Sequence, residues 1–418
     1  MQRILSAQLS AHVHEKVTIA GWVHRRRLLK SVAFLIVRDA EGLSQVVVTD
    51  GAAREQLERL TEESVVEVTA LVTANAQAPG GVELVEPSVR EMSAVRVPLP
   101  FDLHRPALTA GLPAQLDHAA LALRHRTRAR SLRIAAAATA GFRKALEEQR
   151  FVEIQTPKIV ESATESGANV FRLDYFGRPG YLAQSPQFYK QLMVGVFERV
   201  FEVGPVFRAE PSDTGRHLAQ YTSLDAEMGF VTDHRDVMAA LTRTLAGMIA
   251  EVAQRTGFSE SSVPEEIPAV HFTEALRIAG APEDEPDLAP AHERAVGEWA
   301  LREHGSEFVF VTGYPMRKRP FYTHPDPSRP GFSNGFDLLF RGMEIVTGGQ
   351  RLHRYEDYLA ALDGRVEAYQ GYLDGFRYGM PPHGGWAIGL ERFVARLTGA
   401  ANVREVTAFP RDLHRIAP

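Results

Sequence analysis

Phe201-Glu202-Val203-Gly204-Pro205-Val206-Phe207-Arg208-Ala209-Glu210, followed by Arg216-His217 and then Tyr221-Thr222-Ser223-Leu224-Asp225-Ala226-Glu227, reads as strand, arginine-bearing loop, strand. The first apolar run ends in Arg208 and Glu210. A polar loop from Pro211 to Gln220 interrupts it, and the chain returns with Tyr221, Leu224, Met228 and Phe230. Charged groups are costly to bury without a partner. An arginine and a carboxylate at the end of a buried strand, beside a basic loop, therefore suit an anionic nucleotide.

Further along the chain, Asp337 and Glu344 flank Arg341-Gly342. If those two form a hairpin turn, residue 339 lies opposite 344, and Asp337 becomes the diagonal neighbour of Glu344 on one face. Two such carboxylates repel unless a cation sits between them, and Mg²⁺ is often held by one or two carboxylates plus phosphates. The alternative is a pair of unrelated acids on a half-exposed hairpin. Gly384-Gly385-Trp386-Ala387-Ile388-Gly389-Leu390-Glu391-Arg392-Phe393 reads as a glycine-rich strand turning into a helix. It places Arg392 at a helix start, where the helix amides also favour anions. Gln184-Ser185-Pro186-Gln187-Phe188-Tyr189-Lys190-Gln191 looks like a helix start, with Ser185 as cap and Pro186 at the first helical position. On that pattern alone Lys190 reads as a solvated surface lysine.

The other segments set the frame. Residues 1–97 carry five β-branched-rich runs (17–23, 33–38, 44–48, 65–72 and 82–85), with a short helical stretch at 52–60 after the third. That order matches a small OB barrel; another small β-barrel is the alternative. Arg25-Arg26-Arg27 and Lys30 fall between the first two strands, with Phe34 opening the second and Gln45 in the third. Cations beside an exposed aromatic suit single-stranded bases, whereas Phe34 could equally belong to the barrel core. A proline-bearing connector at 98–123 reads as a hinge. Residues 124–418 begin with an Ala-rich helix and then mix helices with strands too irregularly for alternating βαβ units, which points to α+β with an antiparallel sheet. The chain has 418 residues, 44% hydrophobic and 24% charged, a net charge of −5 and no cysteine. Disulfides and thiolate metal sites are thereby excluded. No run of about 18 apolar residues appears, and the N-terminal residues lack a signal-peptide pattern, so a cytoplasmic protein is expected. Residues 256–290 form the longest polar, proline-rich segment, and nothing in their pattern assigns them a role.

Together these segments resemble a class II aminoacyl-tRNA synthetase of the aspartate/asparagine/lysine subgroup, over essentially the whole chain and closest to the archaeal-style aspartyl type. Residues 130–160, ending at Pro157, match the family's first motif, which implies a homodimer interface. Phe207-Arg208-Ala209-Glu210 through Glu227 matches the second, and Gly389-Leu390-Glu391-Arg392 the third. The resemblance implies ATP and Mg²⁺, with catalysis by Arg208, Arg392 and Glu344. ATP would be held by Arg208, Glu210, His217, Tyr221, Glu344, Gly389 and Arg392. Aspartate would be held by Glu165, Ser185, Gln187, Lys190, Arg208, Asp225 and Arg351, and the metal by Asp337 and Glu344. A lysine and an arginine converging on a β-carboxylate make charge-assisted bonds that asparagine cannot match.

The resemblance also implies that the OB domain reads the tRNA anticodon, through Arg27, Phe34 and Gln45. Enzymes restricted to tRNA(Asp) tend to carry a tryptophan just after Gly-Trp-Val and a lysine in the loop before the last barrel strand. Here His24 follows Gly21-Trp22-Val23, and that loop holds Pro79. His24 with Pro79 resembles the non-discriminating type, which charges tRNA(Asp) and tRNA(Asn) alike and leaves the second product to an amidotransferase. The competing readings are a strictly tRNA(Asp)-specific enzyme, an asparaginyl enzyme, an asparagine synthetase on the same catalytic fold and a non-catalytic RNA-binding paralogue.

Overall fold

The structure is a computed structural model that describes residues 2–161 and 169–417; Glu165 lies outside them. The chain divides into two compact units, Met1–His125 and Arg126–Pro418.

In the first unit, β1 (Lys16–Leu28), β2 (Ala33–Arg38), β3 (Leu43–Val48), β4 (Val65–Ala74) and β5 (Val82–Ser93) close a barrel in the order β1-β2-β3-β5-β4. Strand alternation sends Val23, Leu35, Val37, Val46, Val66 and Val68 into its core. Helix α1 (Gly51–Arg59) follows β3 and is capped by Asp50, whose side chain accepts from the Ala53 N–H. This is the OB arrangement rather than another small barrel. Arg25, Arg26 and Arg27 lie on β1 itself, which runs further than its apolar run predicts because it stays paired with β2. Phe34 pairs with Arg27 and Val47, on the face opposite Leu35 and Val37. It is half-buried on the outside of the barrel, not in its core. The connector carries two short helices, α2 (Leu112–Asp117) and α3 (Ala119–Ala122), where the prolines alone predict a hinge. It belongs to the barrel unit, and Arg124 reaches Glu63 at 3.1 Å.

The second unit opens with α4 (Arg126–Glu148) and β6 (Val152–Glu153), followed by a small sheet of β7 (Ile159–Val160), β8 (Arg172–Tyr175) and β9 (Arg178–Leu182). Helix α5 (Gln187–Phe197) leads into β10 (Arg199–Phe207) and β11 (Gln220–Gly229), which pair antiparallel throughout, as the opening stretch predicts. Then come α6 (His234–Thr256), β12 (Ala269–His271), α7 (Phe272–Ala279), α8 (Pro290–His304), β13 (Phe308–Thr312), β14 (Gly335–Phe340) and β15 (Met343–Gln350). The unit ends with α9 (Tyr355–Leu362), α10 (Gln370–Phe376), β16 (His383–Gly389) and α11 (Leu390–Thr398). Among the described residues the large sheet runs β12-β13-β14-β15-β16-β11-β10-β6. It is antiparallel except at its ends, where β12/β13 and β6/β10 run parallel.

The two faces of β11 explain the site. Leu224, Ala226 and Met228 join the core with Ile134, Phe142 and Leu245 from α4 and α6. Ser223, Asp225 and Glu227, one residue out of phase, are buried on the other face. Trp386 and Ile388 on β16 repeat the pattern, leaving Gly385, Ala387 and Gly389 on the polar side. No helix among the described residues is long and apolar enough to cross a membrane.

Candidate active site

The polar face of the large sheet floors a cavity of about 460 Å³. Ser185, Gln187, Lys190, Arg208, His217, Tyr221, Asp225, Asp337, Glu344, Arg351 and Arg392 all line it. Glu210 and Gly389 line an adjoining pocket that shares Arg208, His217, Tyr221, Glu344 and Arg392. Thirteen of the fourteen residues expected around the nucleotide, amino acid and metal thus converge; the fourteenth, Glu165, lies outside the described residues.

At the floor, Lys190 is 1% exposed, not a solvated lysine. Its Nζ lies 3.0 Å from Asp225 and 3.4 Å from Glu227, and it donates to the Trp386 carbonyl at 3.2 Å. Arg351 donates from Nε to Glu227 at 3.0 Å and from Nη2 to the Gly385 carbonyl at 3.0 Å. Two cations and two carboxylates therefore form one buried, charge-balanced cluster. Burial pushes the Glu227 carboxyl up, but Arg351 and Lys190 outweigh it and hold it below its ordinary value. Glu227 bridges the two cations, a role absent from the sequence-based expectations. The signal was its place two residues after Asp225, on the same strand face. Ser185 does not cap α5 as expected: the helix starts at Gln187 with Pro186 as its N-cap, and Ser185 Oγ accepts from the Gln187 N–H at 3.3 Å.

At the mouth, Arg208 stands 3.8 Å from Glu210, with its guanidinium 5.7 Å from the centre of the Tyr221 ring. The His217 ring pairs with Thr214 Oγ1 at 2.6 Å. Burial, with Arg392 and Arg216 nearby, holds its pKa below the usual histidine value. Arg392, in the first turn of α11, donates to the carbonyls of Arg216 and Glu344.

Arg341 and Gly342 both adopt positive φ, 48° and 71°, and form the two-residue turn between β14 and β15. Leu339 lies opposite Glu344 as that turn predicts, while a bulge sets Asp337 opposite Thr347. Both acids do have cations beside them, supplied by arginine side chains. Arg319 pairs with Asp337 at 3.2 Å, and Arg216 and Arg392 stand 3.7 and 3.5 Å from Glu344. Charge is still not fully relieved at Asp337, where burial and Glu344 outweigh Arg319 and raise the carboxyl to about 6.

In the barrel, Gln45 donates to Glu83 at 3.2 Å, beside Asn75, which donates to the same oxygen at 2.8 Å. Pro79 is exposed in the loop that follows Asn75. His24 is the bulged residue between Val23 and Arg25, set against Arg38 at 3.4 Å and edge-on to His104. Burial and Arg38 lower its pKa to about 4. Pro157 is exposed just beyond β6, the edge strand of the large sheet.

Comparison with known proteins adds to this geometry. The family described as tRNA synthetases class II (D, K and N) matches residues 112–413, and an OB-fold nucleic acid binding domain matches 17–92. The chain belongs to the class II tRNA synthetases of the D, K and N group. A relative from Thermus thermophilus named Aspartate--tRNA(Asp/Asn) ligase is 44% identical to this synthetase across the full length of both chains. One of the same name from Deinococcus radiodurans is 43% identical over 100% of this chain and 99% of its own. The crystal structure of asparaginyl-tRNA synthetase from Pyrococcus horikoshii complexed with asparaginyl-adenylate superposes with a TM-score of 0.93 at 29% identity, covering both chains completely. The synthetase thus shares its architecture with an asparaginyl-tRNA synthetase, so the overall fold alone does not fix the amino acid.

Proposed function

We propose that this synthetase is an aspartate–tRNA ligase that charges both tRNA(Asp) and tRNA(Asn). The observation that carries the amino-acid choice is the Lys190–Asp225–Glu227–Arg351 cluster. Lys190 and Arg351 supply the charge-assisted donors that a β-carboxylate requires, and a neutral amide offers its own donors to the same cations. Asp225 and Glu227 fix the two cations in advance, so little reorganisation accompanies binding. The full-length relatives named for both tRNAs support the wider tRNA range, as does His24 in place of tryptophan.

In the first step an oxygen of the aspartate α-carboxylate attacks the α-phosphorus of ATP, and the bond to the bridging oxygen breaks, releasing pyrophosphate. Arg208 binds the α-phosphate and the attacking carboxylate, and Arg392 holds the departing end of the triphosphate. Glu210 and Tyr221 position the adenine. In the second step the 3′-terminal hydroxyl of tRNA attacks the mixed anhydride and AMP leaves. The chain's work is positioning and charge stabilisation; no protein nucleophile takes part. Asp337 and Glu344 fit a Mg²⁺ site as oxygen donors facing one cavity, with Asp337 left incompletely neutralised. Held by these two carboxylates, the ion would supply positive charge to the phosphates. The reading further includes a homodimer through the segment ending at Pro157, a cytoplasmic place where ATP and tRNA are found, and an amidotransferase acting on Asp-tRNA(Asn).

Pyrophosphate exchange with each amino acid, followed by charging of tRNA(Asp) and tRNA(Asn) transcripts, tests the proposal. Exchange with aspartate and not asparagine, and aspartate on both transcripts, is expected. Asparagine-dependent exchange would overturn the amino-acid assignment. Charging of tRNA(Asp) alone would overturn the wider tRNA range.

A further inference from the structure

Glu293, in the first turn of α8, is a buried carboxylate that lines the cavity and has no part in the roles described so far. It grips Arg216 at two points, from Nη1 at 3.0 Å and from Nη2 at 2.9 Å. The oxygen facing Nη1 also accepts the Glu344 N–H at 2.9 Å. One carboxylate thus joins the loop between β10 and β11 to the hairpin that carries Asp337 and Glu344. Its mount is rigid. A Cβ on Gly297, one turn along α8, would stand 2.6 Å from Gly342 N, so helix and hairpin turn are in close backbone contact. The loop's other anchors are separate: Arg404 holds Asp213 and the Thr214 carbonyl, and the Val403 N–H donates to the Gly215 carbonyl at 2.8 Å.

We propose that Glu293 is a positioning residue that latches the Pro211–Gln220 loop onto the Asp337/Glu344 hairpin and so shapes the site for the ATP triphosphate. It touches no reacting atom itself. By fixing Arg216 it fixes the Arg216 carbonyl that Arg392 grips at 3.2 Å, and it orients the backbone of Glu344 directly. The inference rests on the aspartate-activating reading of the cavity and gives a task to the segment that follows the proline-rich excursion.

Glu293→Gln removes the charge and keeps the shape; Glu293→Asp keeps the charge on a shorter arm. For Glu293→Gln in the full-length enzyme, pyrophosphate exchange is expected to show KM for ATP raised about tenfold or more. KM for aspartate should stay within about twofold, since Lys190 and Arg351 are untouched. Glu293→Asp should recover part of the loss. Limited trypsin digestion, read by mass spectrometry, should cut the Arg216–His217 bond faster in Glu293→Gln than in wild type. An unchanged or lowered KM for ATP, or equal rises for both substrates, overturns the latch. If wild type shows no aspartate-dependent exchange, the functional reading has failed; the trypsin arm then decides alone, faster cleavage supporting the latch and unchanged cleavage overturning it.

Discussion

Lys190 shows how a single side chain can be misjudged from its neighbours. Its position one turn into a helix looks solvated because the groups that bury it, Asp225, Glu227 and the Trp386 carbonyl, come from strands 35 to 196 residues away. Lys190→Leu accordingly does more than erase a binding contact. It leaves two buried carboxylates short of a partner, a loss of about 3–5 kcal/mol in unfolding free energy. Aspartate activation should disappear, and denaturant unfolding should show the stability loss with it; an unchanged midpoint would contradict the buried cluster. His24 is the second informative residue. With its pKa lowered to about 4, it stays neutral above about pH 5, so in the proposed reading it would meet the anticodon as an uncharged ring. The ratio of tRNA(Asn) to tRNA(Asp) charging should therefore be flat between pH 6 and 8, and His24→Trp should lower it. A ratio that climbs as pH falls from 7 to 6 would mean that the ring titrates near its ordinary value.

At the level of elements, the paired strands β11 and β16 do the positioning, and their tight contact is itself testable. A Cβ on Gly385 would stand 2.1 Å from the Ala226 carbonyl oxygen and 2.2 Å from Glu227 Oε2. Gly385→Ala must push Glu227 aside and loosen both Lys190 and Arg351. KM for aspartate should rise roughly tenfold or more, with KM for ATP little changed; an unaltered aspartate KM would show that Glu227 is not needed for the reader. The same elements mark what was legible in advance. The β14/β15 hairpin could be registered from sequence because a two-residue turn leaves one pairing, though not the bulge that moved Asp337 opposite Thr347. The β10–loop–β11 unit could be read because its apolar runs are continuous. Arg319 and Glu293 could not, since nothing local distinguishes them from surface charges; only the fold brings Arg319 to Asp337 and α8 to the Arg216 loop. Phe34 was ambiguous because one aromatic at the start of a strand fits either face until the strand's partners are known.

For the molecule as a whole, the proposed function assigns the two choices an aminoacyl-tRNA synthetase must make to separate compact units. The buried cluster proposed to select the amino acid lies within Arg126–Pro418, and the outward face bearing Arg27, Phe34 and Gln45 lies within Met1–His125. Activation of aspartate needs no tRNA in the proposed mechanism, so perturbing the barrel face should leave the first step intact. Phe34→Ala removes a half-buried ring from the outside of the barrel without opening its core. Loss of one stacked base is worth about 1–3 kcal/mol, which corresponds to a roughly 5- to 150-fold rise in KM for tRNA. That rise should be similar for tRNA(Asp) and tRNA(Asn), because a stacking ring accepts any base face, while aspartate-dependent pyrophosphate exchange stays at the wild-type rate. Combined with Gly385→Ala, the two effects should multiply, as the proposed assignment of separate steps to the two units requires. A slower exchange reaction in Phe34→Ala, or a double variant far from the product of the singles, would mean that the barrel reaches into the chemistry of the first step.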